Sequence, residues 1–173
     1  MQVKLIRYPD ENDWMEAKRR ALVTMGKRPV TAPDLAWKHA ILDAGHSPIR
    51  CLNFSFYLEI PYWLSTEFSR HIHAQPYIKS QRNDRQDDYD RNAARQDAPV
   101  SMIWDINAEE LITICHKRMC GKATKEAQYI MGLMAVQVMT VCPEFEFLLV
   151  PMCEYRGGKC HEIGGSCGRC PHV

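Results

Sequence analysis

From Cys51 to Phe68 the chain is largely apolar, and the residues that follow are cationic. That juxtaposition constrains the fold more than any other stretch. The aromatic-rich segment Cys51–Ile60, CLNFSFYLEI, reads as a strand ended by Pro61. Pro61 at a first helical turn, with Trp63, Leu64, Glu67 and Phe68 behind it, predicts a short helix that carries Arg70 and His71 at its C-terminal end. Arg70-His71-Ile72 is followed by seven residues, His73 among them, and then by Ser80-Gln81-Arg82. A buried scaffold that presents arginines, histidines and a hydroxyl on one loop suits a phosphorylated, planar ligand, because guanidinium forks match phosphate oxygens in pairs. The same residue types also read as a solvated loop laced with surface ion pairs.

Elements on either side supply a core. Gln2 to Tyr8 alternates as a first strand, and Asp10 to Met25 reads as a helix. Asp10 or Asn12 caps that helix, Trp14, Ala17, Ala21 and Val23 to Met25 recur at helical spacing, and Gly26 follows its end. Thr31 to Ala44 reads as a second helix, with Pro33 in its first turn, an apolar face of Leu35, Trp37, Ile41 and Leu42, and Gly45 as its stop. Ser80 to Asp97 holds four Arg, five Asp and Tyr89 as its one aromatic, which predicts a charged loop or exposed helix. Val100 to Trp104 returns as a short strand.

Asn107 is placed to cap a helix from Ala108 to Cys120, with Glu110 at the capping-box position and a break at Gly121. A longer helix begins near Thr124. Its stripe of Ala127, Ile130, Met131, Met134, Val138 and Val141 ends at Cys142-Pro143. Glu144 to Met152 is a last apolar piece. Residues 1–150 are thus expected to form one domain, and 151–173 a Cys- and Gly-rich tail. Trp14, Trp37 and Trp63 are expected in the core, and His39, His46 and His116 as ordinary helix or loop histidines.

Four segments, in order, resemble the flavin-dependent thymidylate synthases, the ThyX family. Arg70, His71, Ser80 and Arg82 match the signature Arg-His-Arg-x7-Ser with its further Arg, Ile72 standing at the third basic position. Gly45-His46-Ser47-Pro48 is similar to the family's Gly-His-Glu-Ser/Thr-Pro turn, shortened by one residue. The run Trp104-Asp105-Ile106-Asn107-Ala108-Glu109-Glu110-Leu111 is similar to Trp-Thr-Val-Asn-Ala-Arg-Ser-Leu. Lys117-Arg118 through Glu126 to Cys142-Pro143 keeps the family's spacing from Leu-Arg to Cys-Pro.

The resemblance implies an α+β domain with an antiparallel sheet and packed helices. It also implies a homotetramer holding FAD where subunits meet. The implied activity is reductive methylation of deoxyuridylate, dUMP to dTMP, with methylenetetrahydrofolate as carbon donor and NADPH as reductant. On it, Arg70 and His71, with His73 beside them, would hold FAD. Ser80 and Arg82 would be the catalytic and nucleotide-binding pair, and Glu109 and Arg118 would face the substrate, with Glu126 a weaker candidate.

Departures are specific. Arg50-Cys51 stands where the family has Glu-His, Glu109 replaces the Arg of Asn-Ala-Arg, and Val136 replaces a second nucleotide-binding Arg. Only the charged run from Asn83 to Asp97 spans the place of a family helix. A Glu facing an anionic nucleotide repels it, but a carboxylate accepts from an exocyclic amine. The resemblance implies a pyrimidine nucleotide as substrate, and these departures leave both dUMP and a modified relative as expectations. The alternative is a ThyX fold without thymidylate synthase activity, acting as a metal-containing nucleotide- or nucleic-acid-binding module.

Eight cysteines remain to be placed. Cys51, Cys115, Cys120 and Cys142 lie in apolar segments and read as small core residues. Cys153, Cys160, Cys167 and Cys170 crowd the tail with five glycines, a donor set for zinc or an iron–sulfur cluster. Free thiols are the other reading. A formal net charge of +1 gives no general attraction to nucleic acid or anionic membrane. The N-terminus has no apolar signal core and no run spans a bilayer, so a cytoplasmic location is expected.

Overall fold

The structure, a computed structural model, describes residues 1–85 and 90–173. Tyr89 and its neighbours at 86–88, part of the charged run, lie outside the described residues. Four strands, β1 (Gln2–Arg7), β2 (Asn53–Pro61), β3 (Ala74–Ile78) and β4 (Pro99–Asn107), form one antiparallel sheet in the order β1-β2-β4-β3. Alternate residues of the two central strands point to opposite sides, as the pleat requires. Phe54, Phe56, Leu58 and Ile60 of β2 and Val100, Met102, Trp104 and Ile106 of β4 are buried. The opposite face carries Tyr57, Ile103 and Tyr77 in one cross-strand row, with Ile103 39% and Tyr77 58% exposed.

Helices cover the buried face. They are α1 (Glu11–Val23), α2 (Leu35–Asp43), α3 (Tyr62–Phe68), α4 (Ala108–Arg118), α5 (Lys125–Val141) and the single turn α6 (Met152–Tyr155). The expected α+β fold is the one observed. Asp10 caps α1 in a reciprocal capping box with Asp13, Asn107 caps α4 by accepting from the Glu110 N–H, and Thr124 caps α5 by accepting from Ala127. Five members of the α5 stripe, Ala127, Ile130, Met131, Met134 and Val138, are fully buried. Phe145, just past α5, packs edge-on against Phe54 at 5.2 Å and tilts on Trp14 at 6.4 Å.

Several expectations need correction. α2 begins at Leu35, because Asp34 accepts from the Trp37 N–H and starts the helix after Pro33 instead of before it. Leu35 itself points to solvent, as do Val23 at the end of α1, Met25, which lies in the turn past that helix instead of inside it, and Val141 at the end of α5. Each sits at a helix end, where the sheet no longer lies beneath it. Trp14 is core, while Trp37 and Trp63 pack only partly against it. β3 is a strand that the apolar pattern of Ala74–Ile78 did not announce. It is an edge strand, and pairing with β4 alone holds it. The other edge is closed by a side chain: Gln137 of α5 accepts from the Leu5 N–H at 2.7 Å and donates to the Val3 carbonyl at 3.1 Å.

Candidate functional site

The short helix α3 ends at Phe68, and the turn after it places Arg70 and His71 beside β4. Phe68 stacks on Trp104 at 4.7 Å with an interplanar angle of 11°, and His71 tilts against the same indole at 6.1 Å. This aromatic floor fixes the imidazole. Its Nε2 accepts from the Arg118 Nε–H at 3.3 Å, and its Nδ1 lies 3.4 Å from the Glu110 Oε1. Since a guanidinium only donates, Nε2 is the acceptor nitrogen and the ring proton sits on Nδ1, facing Glu110. Arg118 in turn holds Glu67 of α3 at 2.8 Å.

The charges around this cluster oppose one another. Burial, and after it the Arg118 guanidinium, push His71 from 6.5 down to about 4, so the ring is neutral at pH 7. Burial also raises the Glu110 carboxyl, with His73 pulling the other way. Arg70 and His73 project from the loop into solvent, and Ile72 at the family's third basic position is 85% exposed. Asn107, the α4 cap, reaches the His73 carbonyl at 3.4 Å.

Ser80 and Arg82 lie elsewhere. β3 runs between them and His71: Ala74 pairs with Ile106, Ile78 with Met102, and the Lys79 N–H donates to Ser101. Four strand steps of about 3.3 Å put roughly 13 Å of β3 between the two halves of the motif. Ser80 Oγ accepts from the Arg82 N–H at 3.2 Å, and Arg82 forks onto Asp84 at 2.7 and 2.9 Å. Among the described residues no imidazole is hydrogen-bonded to Ser80.

Glu109 is engaged by Arg50, with Nη2 to Oε1 at 3.1 Å and a second, shorter contact from Nε. Val136 is 58% exposed and Glu126 is half-buried in the first turn of α5. Sequence reading missed the clamping role of Glu67, Glu110 and Trp104. Nothing in the sequence tied Glu110 to the His71 ring or Glu67 to Arg118, because each pair joins residues far apart in the chain.

The tail cysteines do come together, with a correction. Cys153, Cys160, Cys167 and Cys170 line one cavity of about 290 Å³, and Cys120, expected in the core, lines it too. Cys115 and Cys142 are buried as expected, and Cys51 is partly buried. His116 is a satisfied histidine: it contacts the Leu148 carbonyl at 3.1 Å and stacks on Tyr155 at 4.5 Å. Among the described residues no group of three or more His, Cys, Asp or Glu side chains converges closely enough to hold one metal ion. No described helix is long and apolar enough to cross a membrane.

Comparison with known proteins agrees with this geometry. A family described as thymidylate synthase complementing protein matches residues 90–144, the segment that contains β4, α4 and α5. Curated protein sequences give no significant match. A crystal structure of Thymidylate Synthase X from Helicobacter pylori with FAD and dUMP superimposes with a TM-score of 0.64 at 16% identity, covering 86% of this chain and 97% of that one. A second structure of the Helicobacter pylori enzyme with FAD and dUMP gives the same score and identity. The architecture is that of the flavin-dependent thymidylate synthases. Residues 90–144 are similar in sequence to that family, and the chain as a whole shares the fold of these structures.

Proposed function

We propose that the chain is a flavin-dependent enzyme acting at C5 of a pyrimidine nucleotide, of the dUMP-to-dTMP type. The observation that carries this reading is the His71 cluster: a neutral imidazole, clamped by Arg118 and Glu110 beneath a loop that presents Arg70 and His73 to solvent. The donor set fits a dinucleotide. Exposed guanidinium and imidazole groups suit its phosphates.

FAD, when bound, would supply the redox chemistry. The chain's own residues bind and orient. Arg70 and His73 would grip phosphates, and His71 would offer no charge of its own at neutral pH. The indole of Trp104 keeps the loop from collapsing. The net change would replace the C5 hydrogen of dUMP by a methyl group. Its carbon would come from methylenetetrahydrofolate and the two reducing electrons from NADPH.

The 13 Å or so of strand between His71 and Ser80 favours a site completed across subunits, in which Ser80 and Arg82 of one copy serve the nucleotide beside the loop of another. The exposed row of Tyr77 and Ile103 on the open sheet face suits such an assembly as a homotetramer. Location in the cytoplasm and the division into a 1–150 domain and a 151–173 tail belong to the same proposal.

A second reading keeps the fold and changes the substrate. Glu109 is already paired with Arg50, and Arg82 with Asp84, so neither offers a free charge to a nucleotide phosphate. A modified pyrimidine, or nucleotide binding without turnover, follows from it. One assay separates the readings. Purified protein is titrated with FAD by absorbance and thermal shift, then supplied with dUMP tritiated at C5, methylenetetrahydrofolate and NADPH. Release of tritium to water supports thymidylate synthesis. FAD binding without release supports the second reading; failure to bind FAD in large excess refutes the flavin enzyme in either form and leaves only nucleotide binding without turnover.

A further inference from the structure

The cysteine-lined cavity lies where α6 and the tail fold back over the junction between α4 and α5, outside the site proposed above. Four of its thiols are sorted into pairs. Cys120 and Cys167 make one contact, with the Cys120 S–H directed at the Cys167 sulfur, and Cys153 and Cys170 make a second. The backbone fixes both partners of the first pair. The Ala123 N–H donates to the Cys120 carbonyl at 2.9 Å. Ser166 closes the Cys167–Cys170 turn, donating to the Cys170 carbonyl at 2.5 Å and accepting from the Gly168 N–H at 3.0 Å. Gly168 sits at φ +92°, a conformation that permits this tight turn and that other residues rarely adopt. Gly121 leaves the room that Cys167 fills, since a Cβ there would stand 2.9 Å from its Sγ.

The two pairs differ in reactivity, because the thiolate is the attacking form of cysteine. Cys167 is exposed to solvent. The Arg169 N–H lowers its thiol from the usual cysteine value; burial opposes this, and the Gly121 N–H and the Cys120 thiol add to it. Cys153 is buried, and burial, followed by its hydrogen bond with Cys170, pushes that thiol up. The first pair is therefore the one poised to react. Lys117, Arg118, Lys122 and Arg156 line the same cavity, with Glu162 as the one carboxylate. A cationic wall of this kind draws an anionic reagent towards the thiols.

We propose that Cys167 and Cys120 are a redox-active dithiol that exchanges with a small anionic disulfide such as oxidised glutathione, and that the bridge they form staples the tail to the end of α4. In the first step the Cys167 thiolate attacks one sulfur of the external disulfide. A mixed disulfide forms on Cys167, and one thiolate leaves. In the second step the Cys120 thiol gives its proton to that thiolate, and the Cys120 sulfur attacks Cys167 and releases the other half. Two cysteines are oxidised to one disulfide, and the external disulfide is reduced to a thiol and a thiolate. The tail has little apolar surface to bury, Ile163 being fully exposed, so a covalent link there changes its order more than a link within the core would. The link also fixes the chain just past Arg118, whose side chain donates to His71.

The full chain is reduced, freed of reductant and exposed to oxidised glutathione over a time course. Remaining thiols are blocked with N-ethylmaleimide, and the digest is mapped by mass spectrometry. The expected first product is the Cys120–Cys167 disulfide, with the other six of the eight cysteines alkylated. Limited tryptic cleavage of the native chain after Lys159 and Arg169 should then be about ten-fold or more slower than in the reduced protein. Cys120→Ser should stop at a glutathione adduct on Cys167, Cys167→Ser should form neither adduct nor bridge there, and Cys51→Ser, outside the cavity, should behave as the wild type. Eight alkylated cysteines throughout, a different pair bridged first, or cleavage unchanged by the bridge overturns the proposal. Thiol counts and cleavage rates are read without flavin, so the outcome does not depend on whether FAD binds.

Discussion

Arg50 and Glu109 face each other across the start of α4, with Arg50 Nη2 3.1 Å from Glu109 Oε1. These are two of the positions at which the chain departs from the ThyX pattern, the acidic residue after the Gly-His turn and the arginine after Asn-Ala. The structure joins them: Arg50, where the family pattern has Glu, pairs with Glu109, where it has Arg. Exchange of the two side chains, Arg50→Glu with Glu109→Arg, is expected to keep the contact and to strengthen dUMP binding. Either single change should lower the melting temperature relative to the exchange. Equilibrium binding of dUMP to the flavin-loaded protein checks it; unchanged affinity in the double variant would remove Glu109 from the nucleotide site.

His71 makes stability depend on pH. Its folded pKa of about 4 lies below the unfolded value of 6.5. Between those values the unfolded chain binds the extra proton, so stability is full above about pH 6.5 and falls as pH drops towards 4. Glu110, with its raised carboxyl, contributes with the opposite sign above its unfolded value of 4.5. Urea unfolding at pH 7.5 and pH 4.5 should show the wild type losing on the order of 1–3 kcal/mol more than His71→Gln. Equal losses would mean that the imidazole is not held neutral.

Arg118 bridges Glu67 at 2.8 Å and His71 at 3.3 Å, and its side chain is 29% exposed. Arg118→Met keeps the stem and removes the charge, leaving Glu67 without its partner. A loss of about 1–2 kcal/mol is expected, smaller than for a fully buried pair because water still reaches the site. The same variant should raise the His71 pKa, since one of the two causes of its depression is gone. Proton NMR titration of the imidazole reads this directly.

Gln137 carries the free edge of the sheet. Gln137→Leu strips the Leu5 N–H and the Val3 carbonyl of their side-chain partner, and a cost of about 1–3 kcal/mol follows. Amide exchange at Leu5 should quicken in the variant while the amides of β4 stay protected. Unchanged protection at Leu5 would show that water replaces the glutamine without loss.

Gly121 is where α4 gives way to the next turn, and a Cβ there would stand 2.9 Å from Cys167 Sγ. Gly121→Ala is expected to displace the Cys167 side chain and loosen the tail against the α4–α5 junction. Limited proteolysis should then cut after Lys159 or Arg169 faster than in the wild type, with the body of the protein untouched.

The fold was legible where local chemistry and burial agree. Asp10, Asn107 and Thr124 announce their helices because a side-chain oxygen caps orphan N–H groups within three residues, a relation contained in the sequence itself. The α5 stripe and the alternating faces of β2 and β4 follow from periods of 3.6 and 2. The loop from Arg70 to Arg82 was readable as a cationic, hydroxyl-bearing segment, and the helix that delivers it was readable too.

Other relations depend on groups distant in the chain, and only the tertiary structure decided them. β3 is a strand because β4 offers it an edge, since its own five residues, Ala74–Ile78, lack a strong alternating pattern. That strand separates Ser80 from His71, which the sequence had placed within one motif. Glu110 and Arg118 of α4 meet His71, Arg118 also holds Glu67 of α3, and Cys120 leaves the core for the thiol cavity because the tail folds over the end of α4. Sequence determines which groups can cap, alternate or carry charge, for those are properties of neighbours along the chain. Which charges end up facing each other is settled by long-range packing, where many weak contacts act together.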